Sequence, residues 1–174
     1  LNALGISRFR ERVSWSVSRD SARKLRDRYL VGRRPVEKLV GLDVSSSASS
    51  RPSDRRLLSI ARAVADQNDV RVLVFFDFGS RACANAIHES IGQRALLIET
   101  DDLPKMVALL EACHLVITAN SDLLHLALSK GVPTTAILSP EDAARWVPPD
   151  VVNLAVWDVG QVEDKKSSLM ALDG

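Results

Sequence analysis

The sequence predicts an α/β fold, a Rossmann-like doubly wound parallel sheet of about six strands. Short apolar runs rich in strand-forming residues alternate with segments whose apolar residues recur at helical spacing. The short runs show no polar alternation, which indicates strands buried on both faces, as in a parallel sheet covered by helices. Right-handed crossover connections then give the doubly wound arrangement.

The elements follow in order along the chain. Residues 14–30 are predicted to form a helix that ends at Gly32, with a new segment starting at Pro35. The predicted strands are 39–44, 70–76, 94–99, 115–118, 133–138 and 151–157, and the helices between them are 52–64, 79–91, 103–113 (capped by residues 100–102) and 121–131. We therefore expect a linker with its helix at 1–37 and a Rossmann-like domain at 38–174.

Composition excludes several classes of protein. The 174 residues are 46% hydrophobic and 26% charged, as in a soluble globular protein, and the net charge of +1 gives no reason to expect a nucleic-acid partner. No apolar run approaches the ~18 residues of a membrane span, and no signal peptide is visible. Cys83 and Cys113 lie in apolar helical patterns, so we expect buried free thiols.

Basic residues concentrate between Arg8 and Arg34. One interpretation is a solvated helix face, and the other is a surface that meets an anionic substrate or an anionic membrane leaflet. The chain opens with Leu1 in the segment LNALGI, and we expect it to be part of a longer protein.

Ligands of open α/β sheets bind outside the carboxyl ends of the strands, where three loops carry polar residues. The loop from Asp43 to Ser53 could donate hydrogen bonds to phosphate oxygens, with Arg51 adding charge, or it could be a solvated loop in which Ser53 caps a helix. Its hydroxyl candidates are Ser45, Ser46, Ser47 and Ser49. The loop from Asp77 to Arg81 contains Asp-Phe-Gly, as in protein kinases, but the other kinase motifs are missing, so turn chemistry is favoured.

The third loop runs from Thr118 to His125 and begins a helix directly after a strand. Asn120 and Ser121 should therefore face the ligand crevice. His125 lies one turn into the helix among leucines, where a core position and a place in the site are both open. The three histidines lack metal-ligand spacing with one another, no Ser-His-Asp nucleophile elbow is present, and GxGxxG is absent. We therefore expect no metal and no dinucleotide cofactor.

The segment VITANSDLLHLALSKGVPTTAILSPEDAARW (116–146) resembles the signature of the heptosyltransferase-like glycosyltransferase family 9. Segments 39–64 and 97–118 are similar to two further stretches of the family, so the resemblance covers nearly the whole chain. The positions that match the signature are Ser121, His125, Leu126, Ala127, Gly131, Pro133, Thr134, Pro140, Asp142 and Trp146.

The resemblance implies the C-terminal, nucleotide-sugar-binding half of a GT-B enzyme. Such an enzyme of bacterial lipopolysaccharide assembly moves a heptose-like sugar from a nucleoside diphosphate, most often ADP, to a lipid-linked acceptor without a metal or other cofactor. The N-terminal half, absent from this chain, supplies the acceptor surface and the catalytic base. The implied location is the cytoplasm, at the inner face of the membrane. The candidate donor-binding residues are Ser45, Ser46, Ser47, Arg51, Ser80, Asn120, Ser121, Asp122 and His125.

The chain departs from the family at ligand-facing positions. Asn120 replaces the family's aspartate, Asp122 replaces its glycine, and the serine loop lacks its lysine. In the family, the loop after the second strand is glycine-rich and carries an acidic residue that can bind ribose. In this chain the segment 77–81 stands in place of that loop. A charge-assisted hydrogen bond contributes ~1.5–3 kcal/mol, so several losses would weaken donor binding severely. The second hypothesis is therefore a non-catalytic GT-B scaffold. A nucleotide-sugar epimerase is a third, which segment 116–146 disfavours.

Overall fold

A computed structural model describes residues 17–32, 37–46, 51–119, 121–147 and 151–160. The strands are β1 (Lys38–Asp43), β2 (Val70–Phe76), β3 (Ala95–Glu99), β4 (Leu115–Thr118), β5 (Thr134–Leu138) and β6 (Leu154–Asp158). The helices are α1 (Arg19–Tyr29), α2 (Asp54–Ala65), α3 (Arg81–Ile91), α4 (Leu103–Leu110), α5 (Asp122–Ser129) and α6 (Pro140–Trp146). Short 3₁₀ turns at Phe78–Ser80 and Gly92–Arg94 flank α3.

The six strands form one parallel sheet in the order β3-β2-β1-β4-β5-β6. Gly41 in β1 pairs with Leu73 on one side and Val116 on the other. The chain runs outward from β1 to β3, crosses back, and then runs outward from β4 to β6. The predicted fold class is confirmed, and the topological switch point lies between β1 and β4.

Helices cover the two faces of the sheet unequally. Ile60 and Ala61 of α2 pack with Ala84 and Ile87 of α3 on one face. On the other face, α4 and α5 pack against the central strands through buried residues that include Leu109. Helix α1 lies against α4 on that same face, and α6 packs beside α5 over β5. The two apolar layers explain why most strand positions are buried, as their unbroken hydrophobicity predicts.

Local sequence determines most helix ends. The side chains of Ser18, Ser53, Asp102 and Ser139 accept hydrogen bonds from first-turn amides of α1, α2, α4 and α6. The predicted cap at Ser53 is therefore confirmed. Gly131, with φ of +69°, follows the end of α5 in the left-handed conformation that glycine adopts without steric cost.

Three element predictions need correction. Helix α6 is missing from the sequence-based assignment because it is seven residues long and has no buried residue, so it carries no apolar period. Strand β6 begins at Leu154, because Val152 is 98% exposed and lies before the pairing with β5. Helix α1 begins at Arg19, later than the predicted residue 14; residues 14–16 lie outside the described residues.

Other sequence-based expectations are met or stay open. Cys83 and Cys113 are buried, as predicted, and within the described residues neither thiol is joined in a disulfide. The basic side chains of α1, such as Arg23 and Lys24, are exposed, which is compatible with both interpretations of the basic segment. Throughout the described ranges, no helix has the length and apolarity needed to cross a membrane. The boundary at residue 37 stays a prediction.

Candidate functional site

A cleft of about 460 Å³ opens at the carboxyl edge of the sheet, between the strand ends and the first turns of α4 and α5. It lies where ligands bind in doubly wound folds, because the strand order reverses there and leaves a gap between diverging loops. The residues that line it are Ser45, Asp77, Thr100, Leu103, Met106, Ser121, Asp122, Leu123, His125, Leu126 and Ser129.

A buried carboxylate lies beneath the cleft at the switch point. Asp43, at the end of β1, is 4% exposed. Its Oδ1 accepts the Ser45 amide at 3.0 Å, and its Oδ2 accepts the hydroxyls of Thr118 at 2.7 Å and Ser121 at 2.5 Å. A buried charge is tolerated when donors surround it, so this network links the loop after β1 to the turn between β4 and α5.

A second carboxylate joins the loops after β1 and β2. Asp77 accepts the Ser46 amide at 2.9 Å, the Ser46 hydroxyl at 3.0 Å, the Ser80 amide at 2.9 Å and the Ser80 hydroxyl at 2.7 Å. Burial alone would raise the pKa of Asp77, but these hydrogen bonds outweigh it and hold the pKa below its usual value. Gly79 permits the closure, since a Cβ there would lie 2.4 Å from the Ser46 hydroxyl oxygen.

The first turn of α5 forms one wall of the cleft. Ser121 is the N-cap residue, and Asp122 and His125 follow on the exposed side, while Leu124 turns inward and is fully buried. The His125 and Trp146 rings pack in a T-shaped arrangement with centroids 6.1 Å apart. The core alternative for His125 is therefore wrong: the histidine is exposed and lines the cleft, because the apolar side chains of α5 pack toward the sheet.

The structure brings together only part of the predicted donor-binding set. Ser45, Ser121, Asp122 and His125 line one cleft. Ser46 and Ser80 do not line it: both donate their hydroxyls to Asp77, which does, and Ser80 is buried.

The remaining predicted residues are not seen at the cleft. Arg51 pairs with Asp54 at 2.5 Å and donates to the Val44 carbonyl at 3.1 Å, and it does not line the cleft. Ser47 and Asn120 lie outside the described residues. The donor-binding role of each of the nine residues stays a prediction.

Sequence reasoning did not select Asp43, Asp77 or Thr100 as site residues. Asp43 and Asp77 each end or follow an almost wholly apolar strand, and Thr100 follows the next one. A polar residue immediately after a buried parallel strand is a usable signal, because it must lie at the carboxyl edge. The spacing of residues in the sequence does not show which hydroxyl binds which carboxylate, since Asp43 and Ser121 are 78 residues apart.

The described lining is acidic rather than basic. Asp77 and Asp122 bring two carboxylates, and His125 is the one lining residue within the described ranges that can become a cation. In the same ranges, no cluster of three or more histidine, cysteine or acidic side chains is arranged to bind a metal. An anion in this cleft would therefore depend on hydroxyl and amide donors and on the N-terminus of α5.

The family model described as glycosyltransferase family 9 (heptosyltransferase) matches residues 59–169 of the chain. No curated protein matches this chain. A family 9 glycosyl transferase structure from Veillonella parvula has a TM-score of 0.69 and 18% identity, with 82% of this chain and 41% of that chain covered. E. coli ADP-heptose LPS heptosyltransferase II has a TM-score of 0.68 and 17% identity, with 83% and 44% covered.

E. coli heptosyltransferase WaaC with ADP-2-deoxy-2-fluoro heptose is also similar. Its TM-score is 0.60 and its identity 14%, with 92% of this chain and 49% of that chain covered. At these identities the three structures show a shared fold. The chain spans less than half the length of each of them.

Proposed function

The chain belongs to glycosyltransferase family 9, and from that premise we propose that it forms the donor-binding half of an enzyme that transfers a sugar from a nucleoside diphosphate sugar. The observation that carries the proposal is the cleft at the β1/β4 switch point, walled by the first turn of α5. This wall contains the part of segment 116–146 that resembles the family signature. A doubly wound sheet binds its nucleotide at this place.

The donor is proposed to be an ADP-linked, heptose-like sugar. One of the similar structures is an ADP-heptose heptosyltransferase, and another contains ADP-2-deoxy-2-fluoro heptose. Both support adenine as the base of the donor. In this assignment the Ser45 hydroxyl and the amides at the N-terminus of α5 donate to the phosphates, and Ser121 contacts the donor from the N-cap position. His125 stabilises the departing nucleoside diphosphate, either as a hydrogen-bond donor or, when protonated, as a cation.

Three further residues of the predicted set would complete the site. Ser47 directly follows Ser46 in the sequence, and Asn120 directly precedes Ser121. The Arg51 guanidinium would reach the phosphates after exchanging its contact with Asp54. The proposed sugar transfer does not require a metal ion. Glycosyl transfer leaves a diphosphate anion, and donors fixed in place before the reaction lower the barrier to its departure.

The acceptor is proposed to be a lipid-linked, lipopolysaccharide-type oligosaccharide presented by a separate N-terminal GT-B half, which also supplies the base. The exposed basic residues of α1 would favour an anionic membrane surface at the inner face of the cytoplasmic membrane. In this arrangement the present chain binds donor and performs no transfer by itself.

A specific observation favours a second candidate, a non-catalytic family member. Both Ser46 and Arg51 are engaged inside the protein, and the cleft presents the Asp77 and Asp122 carboxylates. An anionic diphosphate would meet repulsion here unless other groups compensate for it. If no other group compensates for this repulsion, the domain binds no donor and serves as a scaffold or binding domain.

Isothermal titration of the folded chain with ADP, UDP and GDP separates the two candidates. The donor-binding proposal predicts measurable binding with ADP tightest, and a several-fold (about threefold to tenfold) loss in His125→Ala through the removed hydrogen bond. His88→Ala is the matched control, because His88 is exposed near the end of α3, away from the cleft. No binding of any nucleotide at millimolar concentration would refute the donor role and leave the scaffold.

A further inference from the structure

We propose that Asp43 is a positioning residue: it directs the Ser121 hydroxyl away from α5 and thereby leaves the N-terminus of that helix open to the donor. The inference rests on the donor-binding function proposed above. Asp43 does not line the cleft, so it acts through the residues that do. Neither Asp43 nor Thr118 is among the signature positions that the chain matches.

The first step concerns what Asp43 connects. Its carboxylate accepts donors from the loop after β1 (Ser45), from the end of β4 (Thr118) and from the cap of α5 (Ser121). Ser45 and Ser121 both line the cleft, on walls that belong to strands on either side of the switch point. One buried group therefore sets the relative position of both walls.

The second step concerns the capping of α5. A serine at an N-cap normally accepts a hydrogen bond from a first-turn amide, as Ser18, Ser53 and Ser139 do in this chain. Ser121 occupies the N-cap of α5, yet its side chain makes no capping bond and instead donates to Asp43 at 2.5 Å.

The third step follows from charge. A hydroxyl held by a carboxylate has its proton directed and its rotamer fixed, because a charge-assisted hydrogen bond is about twice as strong as a neutral one. The place that the Ser121 oxygen would take as a cap is then left for an acceptor from outside, such as a phosphate oxygen. Loss of the Asp43 charge frees Ser121 to cap α5 and to compete with the ligand.

The test compares ADP binding to the full chain and its variants by isothermal titration. Asp43→Asn removes the charge at nearly constant volume, and we expect about tenfold weaker ADP binding. Thr118→Val is the matched control: it removes another hydroxyl from the same carboxylate, together with its 3.1 Å contact to the Ser121 hydroxyl, while the bond from Ser121 to Asp43 remains. Affinity should then change by less than about twofold. Unchanged affinity in Asp43→Asn, or equal losses in both variants, would overturn the proposal.

A double variant distinguishes positioning from general damage. If Asp43 acts through Ser121, then Asp43→Asn should weaken ADP binding by less than about twofold in a Ser121→Ala background. A full, independent loss in that background would contradict the mechanism. Binding is measured in trimethylamine N-oxide to keep weakened variants folded. If Asp43→Asn still does not fold, Asp43→Ser, a smaller polar replacement, takes its place in both comparisons.

Amide hydrogen exchange separates this proposal from the donor-binding function itself. If the unaltered chain binds no nucleotide, the proposed function fails, and the effect of Asp43 on α5 is still measurable. In Asp43→Asn, the released Ser121 should cap α5 and slow amide exchange in its first turn by about threefold or more, with β3 as the internal reference. In Thr118→Val, exchange in the first turn of α5 should not change. Equal or faster exchange in the first turn of α5 of Asp43→Asn would overturn the positioning role.

Discussion

At the scale of single residues, the cleft is notable for where its hydroxyls point. A run of serines beside a helix N-terminus suggests a phosphate site, because hydroxyls and amides can donate to an anion. In the folded chain, the Ser46 hydroxyl already donates to Asp77 and the Ser121 hydroxyl to Asp43. The protein's own carboxylates therefore use part of the donor capacity that the sequence offers, and the charge that they add influences any anionic ligand.

Asp122→Asn tests this influence of charge directly. Asp122 is exposed and lines the cleft at the first turn of α5. Removing its charge should strengthen ADP binding by about threefold, because repulsion between like charges in a solvent-exposed site is modest. Titration calorimetry at low salt measures the change. Asp66→Asn is the control, since Asp66 is exposed at the end of α2 beside the start of β2, and a gain there equal to that of Asp122→Asn would contradict a local effect.

At the scale of elements, the loops at the carboxyl edge are tied to one another as well as to their strands. Asp43 joins the β1 loop to the turn before α5, and Asp77 joins it to the 3₁₀ turn after β2. Hydrogen bonds to a few carboxylates therefore determine how the three loops are arranged around the cleft.

The Asp77 contacts should make part of the stability dependent on pH. Because hydrogen bonds from Ser46 and Ser80 hold the pKa of Asp77 below its usual value, the contribution is fully present above the unfolded-state value of about 3.9 and is lost as pH falls through the lower folded-state pKa. Urea unfolding at neutral and acidic pH should show the stability advantage over Asp77→Asn shrinking in acid. Ser80→Ala, which removes one donor, should flatten this trend, and an advantage that stays constant with pH would contradict it.

At the scale of the whole molecule, the described chain has two apolar layers around one sheet. Cys83 lies in the layer of α2 and α3, and Cys113 lies in the layer of α4 and α5. One thiol therefore reports on each side of the sheet.

Thiol reactivity should therefore follow global unfolding. Burial, with a further contribution from the Asp54 charge, raises the pKa of Cys83 to about 11, so almost no thiolate exists near neutral pH. Cys113 is also buried. We expect a colorimetric thiol reagent to leave the folded chain unlabelled and to label both cysteines in urea, with a midpoint equal to that of circular dichroism. Cys83→Ser reports Cys113 separately, and rapid labelling of the folded chain would contradict the expectation.

The alternation of apolar strands and amphipathic helices was enough to predict the doubly wound sheet, since a strand buried on both faces must be unbroken in its hydrophobicity. The first turn of α5 was also predictable as a site wall, because Ser121 and His125 directly follow β4. Helix α6 was not, because it buries no residue and so has no apolar period. The roles of Asp43 and Asp77 in joining separate loops escaped prediction, because the partners that make these links are 31 to 78 residues away in the chain.

The sequence by itself therefore determined the order of elements, the parallel sheet and the family, because these depend on local periodicity and on the residues of segment 116–146. The tertiary structure alone decided which polar groups meet. Parallel strands bring distant loops to one edge, and there a carboxylate at the end of β1 takes the hydroxyl that would otherwise cap α5. Contacts of this kind depend on strand order and on burial, and neither is encoded in the spacing of a motif.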